Sequence, residues 1–147
     1  MAEISFRRLN KQDFSLLHRW LNEPHMRSFY QRHPVSLEEV VEKYSPRVDG
    51  SVPTHCHIAL VDGVPIGKIQ CYRVADYPEY GKEIGASDGI SVDLFIGEPS
   101  FLGRGMGKAM LTSYLETVAF TLFPDEVSCY ICHERANAAA LACSLEP

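Results

Sequence analysis

Apolar residues recur along this chain with two different periods, and the changes between them mark out its elements. ISFRRL, Ile4 to Leu9, reads as a short strand. From Phe14 the spacing becomes helical through Leu16, Leu17, Trp20 and Leu21, with Asp13 placed to cap or open the helix and Pro24 to stop it. Pro34-Val35-Ser36 announces a second helix: Ser36 is its N-cap, Glu39 completes a capping box, and Val40, Val41 and Tyr44 form its apolar face. His55 to Val74 holds two strand-like runs, HIALV and IGKIQCYRV, around Asp62-Gly63, the pattern of a hairpin. Asp76 to Ser87 is polar and reads as a loop or a short irregular helix. GISVDLFI, Gly89 to Ile96, is a further strand. A long helix follows from Gly105 to Phe123, striped by Met106, Met110, Leu111, Tyr114, Leu115 and Val118 and ended by Pro124-Asp125. Val127 to Cys132 reads as a strand and Asn137 to Leu145 as an alanine-rich helix. The order β-α-α-β-β-β-α-β-α predicts an α/β or α+β domain on a central sheet.

Composition narrows the class. The 147 residues suffice for one domain with a real core and are too few for two ordinary ones. A formal charge of −5 argues against a nucleic-acid partner and suits a cationic one. No stretch of apolar residues is long enough to span a membrane, and MAEISFRRLNKQDF has no apolar signal-peptide core. Five cysteines without framework spacing read as reduced thiols, so a cytoplasmic location is expected. Cys129 to His133 matches the haem-attachment spacing C-x-x-C-H, but on a strand positions three apart face opposite sides; neither haem nor any metal is expected.

The chemistry concentrates in FLGRGMGKAM, Phe101 to Met110. As a nucleotide P-loop it fails at both ends, because Ala109 replaces the hydroxyl and Leu102 the first glycine. Its G-x-G-x-G spacing also departs from the dinucleotide fingerprint. What remains is strand, glycine turn, helix. The backbone N–H groups of residues 103–108 can converge at a positive helix end, which suits a pyrophosphate held without metal. Close packing at a corner is the competing explanation. Asp93 lies mid-strand, where burial of an unpaired carboxylate would be costly. It is either a general base or a solvent-facing residue of an alternating strand. Asp76, Glu79, Glu83, Asp88, Asp93 and Glu98, with only Lys82 among them, form either an acidic rim for a polycation or a solvated loop. Phe29, Tyr30, Tyr77 and Tyr80 stack on sugar rings or simply pack. No residue reads as an obligate covalent nucleophile, and the histidines are scattered, with His25 and His33 flanking a possible substrate loop.

GISVDLFIGEPS followed by FLGRGMGKAML resembles the central motif of the GNAT N-acetyltransferases, [QR]-x-x-G-x-[GA], with Gly105 and Gly107 at the two small positions and Leu102 where Gln or Arg is usual. WLNEPH, VEKYSPRV, HIALVDGVPIGKIQCY and DLFIGEPSFLGRGMG are similar, in order and spacing, to the aminoglycoside 6′-N-acetyltransferases. The resemblance implies a mixed, mostly antiparallel twisted sheet flanked by helices, with splayed central strands. It implies acetyl-CoA as cosubstrate, held by Leu94, Phe95, Ile96, Leu102, Gly103, Arg104, Gly105, Met106, Gly107, Lys108 and Asn137, with the thioester carbonyl polarised by a backbone N–H near Leu94 or Phe95. Asp93 falls on the family's base, and Phe29, Tyr30, Tyr77, Glu79 and Asp93 are expected at the substrate. The implied reaction is direct acetyl transfer to an aminoglycoside amine, conferring antibiotic resistance, by a monomer or homodimer. Other acceptors (a metabolite amine or a siderophore precursor) and a degenerate acyl-CoA-binding module remain open. Ser144 stands where the family carries its tyrosine acid, Cys132 near an expected acidic residue, and the family continues past Pro147, so the domain spanning residues 1–147 is expected to lack its last strand or strands.

Overall fold

Among the described residues five strands make one sheet in chain order: β1 (Ile4–Arg8), β2 (Thr54–Val61), β3 (Val64–Arg73), β4 (Ile90–Ile96) and β5 (Cys129–Ile131). Pairing is antiparallel from β1 to β4, and β5 runs parallel to β4. The computed structural model describes residues 3–29 and 33–131. Tyr30, Cys132, His133, Ser144 and the expected last helix with Asn137 lie outside them. β5 pairs with β4 over Ile90 to Val92, and its partner Ile131 is the last described residue, so any splaying of these strands lies outside too.

Local chemistry explains the elements that the pattern marked. Asp62 and Gly63 take φ of 50° and 81°, which turns the β2–β3 hairpin. α3 (Leu37–Asp49) starts on the reciprocal Ser36–Glu39 capping box and ends on Gly50 in the left-handed conformation. α1 (Phe14–Leu21) follows a 3-10 turn capped by Asn10. There Asp13 completes the box and accepts both Arg7 guanidinium nitrogens at 2.8 Å.

Three expectations are revised. Pro24 does stop α1, but it also begins a second short helix, α2 (Pro24–Phe29), because proline suits a first turn, where no N–H is needed. In keeping with the short helix allowed for there, the polar stretch after β3 contains α4 (Pro78–Ile84), opened by Pro78 and closed by left-handed Gly85. α5 (Met106–Tyr114) runs through a π turn, Leu115–Ala119, before its last turn at Phe120–Leu122. Val41, expected on the apolar face of α3, is exposed, while Val40 and Tyr44 carry that face.

The pleat sorts the core into two halves. Ala59, Ile69, Cys71, Val92 and Leu94 meet Met110, Leu111 and Tyr114 of α5 on one face. Cys56, Ile58 and Phe95 meet Leu17 and Trp20 of α1 and Val40 and Tyr44 of α3 on the other. Burying each large side chain contributes roughly 1.5–3 kcal/mol, so both helical layers hold the sheet firmly. Asp93 belongs to the second face.

Candidate functional site

β4 is the axis of the site. Ser91, Asp93 and Phe95 point to one face and lie opposite Tyr72, Gln70 and Lys68 of β3. Asp93 is half-buried and accepts the Gln70 side-chain N–H at 3.4 Å. Beyond Ser91 stands a wall of phenols. Tyr80 and Ser91 share a hydrogen bond of 2.9 Å, and Tyr72 meets Tyr77 and Tyr80 edge-on at 4.8 and 5.6 Å. The Tyr77 hydroxyl is tied to Thr54 at 2.6 Å. Tyr77, expected at the substrate, thus forms part of a fixed aromatic surface beside the Asp93 face. Glu79 is exposed at the start of α4, and Asp76, Glu83 and Asp88 are exposed around it.

Glu98 leaves this acidic group. Its carboxylate accepts the Trp20 indole N–H at 2.9 Å and pairs with Arg19. The indole bond first, and Arg19 besides, hold its carboxyl below the usual range, although partial burial opposes them. Its role is to tie the end of β4 to α1.

The backbone of β4 divides its polar groups between two edges. Ile90 donates its N–H to Ser128, so by alternation Val92, Leu94 and Ile96 face the β5 side while Asp93 and Phe95 face β3. Of the two N–H groups expected near the carbonyl, that of Leu94 faces the β5 edge and that of Phe95 lies in the β3 ladder. Ile96 is engaged from that edge as well: Nε2 of His25, on α2, lies 2.8 Å from its carbonyl oxygen. The sequence carried no signal for this contact, since His25 and Ile96 are far apart in the chain.

After β4 a 3-10 turn, Pro99–Phe101, leads into the glycine turn. Gly103 and Gly105 have φ of 69° and 71°, and a Cβ at either would meet nothing within 4 Å. Close packing therefore does not explain these glycines; a left-handed backbone facing open space does. Gly105 is the N-cap of α5, so the first amides of that helix open into the same space. Arg104 stays near the turn, its guanidinium 5.0 Å from the Phe101 ring and donating to the Ser100 carbonyl at 3.2 Å. Met106 and Gly107 are half-buried, while Leu102 and Lys108 are exposed. A left-handed glycine turn at a helix N-terminus, with room above it, fits a diphosphate group.

The three thiols among the described residues are unsuited to nucleophilic work. Burial pushes Cys56 up, Cys71 up to about 11 and Cys129 up to about 12. Among the described residues no cluster of three or more His, Cys, Asp or Glu is placed to hold a metal ion. No helix among them is long and apolar enough to cross a membrane.

The chain belongs to the GNAT acetyltransferase family: residues 10–134 match the family described as Acetyltransferase (GNAT) domain. Within it, the chain is 26% identical over 116 residues to the aminoglycoside N(6′)-acetyltransferase type 1 of Klebsiella pneumoniae, covering 77% of this chain. It spans 58% of the length of that relative. A crystal structure of the aminoglycoside acetyltransferase AAC(6′)-Ib with coenzyme A and kanamycin superposes with a TM-score of 0.71 at 26% identity, over 96% of this chain and 80% of that one. An uncharacterised Bacillus halodurans protein shares the fold, with a TM-score of 0.79 at 19% identity over 94% of this chain and 69% of its own.

Proposed function

We propose that this chain moves the acetyl group of acetyl-CoA directly to a primary amine of an aminoglycoside, at the 6′ position. The observation that carries the reading is the continuity of β4 with the glycine turn. Asp93 and an open, left-handed Gly103–Gly105 turn at the head of α5 lie on one strand–turn–helix unit. The relatives with aminoglycoside names, one of them crystallised with coenzyme A and kanamycin, support the acceptor class.

Acetyl-CoA, when bound, supplies the activated thioester. The amides of residues 103–108 bind its diphosphate, with Leu102, Arg104 and Lys108 around them. The Leu94 and Ile96 backbone faces the side where the pantetheine arm would lie, and the Leu94 N–H is the donor for the carbonyl oxygen. Asp93 takes the proton from the acceptor ammonium, so that the free amine attacks the thioester carbonyl; as the C–N bond forms and the C–S bond breaks, coenzyme A leaves as its thiolate and is protonated from water. Tyr77, with Tyr72 and Tyr80, offers ring faces to a sugar, and exposed Glu79 attracts its other ammonium groups. Phe29 ends α2 at the segment leading to Tyr30, and both remain candidates for the acceptor side. In this reading transfer is direct, in keeping with the burial that holds Cys56, Cys71 and Cys129, the cysteines among the described residues, as thiols.

The test is mass spectrometry of kanamycin-type aminoglycosides, polyamines and a lysine peptide after incubation with the protein and acetyl-CoA. A mono-acetylated aminoglycoside is the expected product. Acetylation of another amine alone would replace the acceptor, and coenzyme A binding without any product would replace the enzyme by a binding module.

A further inference from the structure

Gln70 is buried on β3, directly opposite Asp93, with its side chain on the same face of the sheet. Three donors converge on its side-chain oxygen: Arg47 Nη1 of α3 at 2.9 Å, Lys68 Nζ at 3.1 Å and the Cys56 thiol at 3.1 Å. Arg47 and Lys68 are themselves held. The Arg47 guanidinium lies 5.2 Å from the Tyr44 ring centre. Lys68 Nζ lies between the rings of Tyr44 and Phe95, at 5.2 and 5.3 Å, and 3.4 Å from the Tyr44 hydroxyl.

This arrangement fixes which way the amide points. A side-chain amide has one acceptor end and one donor end. Turned over, its NH₂ would face three donors and its oxygen would face a carboxylate. The surrounding groups therefore permit one orientation, with the oxygen toward Arg47 and Lys68 and the NH₂ toward Asp93, 3.4 Å from Oδ2. Two cations behind the carbonyl also polarise the amide and strengthen its N–H as a donor.

We infer that Gln70 is a positioning residue for Asp93: anchored by Arg47 and Lys68, it aims the carboxylate at the acceptor amine. The inference rests on the proposed role of Asp93 as base. Sequence spacing gave no sign of it, because Gln70 looks like any polar residue in an alternating strand.

The experiment compares kcat, KM for the aminoglycoside and acetyl-CoA affinity in the wild type, Gln70→Glu, Gln70→Leu, Asp93→Asn and the Gln70→Leu/Asp93→Asn double variant. Gln70→Glu keeps an oxygen for Arg47, Lys68 and Cys56 but turns a carboxylate oxygen, rather than an N–H, toward Asp93. It should fold normally and bind acetyl-CoA normally, yet lose ~10–10²-fold in kcat, the scale of a misplaced catalytic group. Gln70→Leu should lose a similar factor, and adding it to Asp93→Asn should cost nothing more in kcat, since it acts only through Asp93. Gln70→Glu with wild-type kcat would overturn the inference, because a merely structural Gln70 tolerates glutamate. So would a further loss from Gln70→Leu in the Asp93→Asn background. An Asp93→Asn variant with full activity, or a wild type that acetylates no amine, would instead overturn the base or the transferase reading, and the inference with it.

Discussion

Gly97 lies directly beneath the indole of Trp20. A Cβ at residue 97 would overlap the ring at Cγ, Cδ2 and Cδ1. Trp20 is fully buried and cannot swing out, and its N–H is committed to Glu98. Gly97→Ala is therefore expected to cost about 1–3 kcal/mol, the usual penalty of overpacking a core. Because residue 97 joins β4 to the segment before the glycine turn, acetyl-CoA affinity should fall as well. Denaturant unfolding and calorimetric binding check the two effects separately.

Asp93→Asn removes the proton acceptor and keeps the shape. Transfer to the amine should fall by ~10²–10⁴-fold, the range for a positioned base. Acetyl-CoA affinity should stay within about twofold, since this side chain accepts from Gln70 of β3 while the expected cofactor edge of β4 is the one facing β5. Steady-state kinetics beside a coenzyme A titration reads both quantities. Equal loss of rate and affinity would remove Asp93 from the role of base.

How legible a feature was in the sequence depended on how local its cause is. The Asp62-Gly63 turn and the Ser36–Glu39 cap act within four residues, and both form as the pattern indicates. α2 was hidden because Pro24 ends one helix and starts the next within a few residues. The π turn at Leu115–Ala119 leaves the apolar stripe almost unchanged and so has no visible signature. At the site, Asp93 and the glycines stood out because each breaks the rule of its own element. Glu98 looked like one more acidic residue and is instead bound to α1. Gln70 and His25 act through contacts 23 and 71 residues away, and nothing near them in the chain announces either.

Gly105→Val tests the turn. At φ 71° any side chain strains the backbone, and here the isopropyl group would also project into the open space above α5. Acetyl-CoA affinity should fall at least tenfold, because both the amide geometry and the room for a diphosphate are lost. Gly50→Val is the control. It has φ of 84° and equally open surroundings, but it caps α3, away from the turn. It should lose comparable stability while binding acetyl-CoA normally, and equal binding by both variants would detach the turn from the cofactor.

His57 sets a pH limit on stability. Its Nδ1 lies 2.9 Å from the Tyr114 hydroxyl, which in turn donates to Cys71 Sγ at 3.3 Å, all within the core under α5. Burial, with Arg8 and His55 adding positive charge nearby, lowers the His57 imidazole from 6.5 to about 4. The folded state thus keeps His57 neutral where the unfolded chain would protonate it. Its contribution to stability is complete above about pH 6.5 and is lost as pH falls toward about 4. The loss across that window is of the order of 3 kcal/mol, from about 1.4 kcal/mol per pH unit. His57→Gln removes the titrating group and keeps a hydrogen-bonding side chain for Tyr114. Urea unfolding at pH 7.5, 5.5 and 4 should therefore show the wild type weakening more steeply than the variant, whose remaining decline comes from its carboxylates and its other histidines. Parallel pH profiles would mean that the folded core leaves His57 to protonate as it does in the unfolded chain.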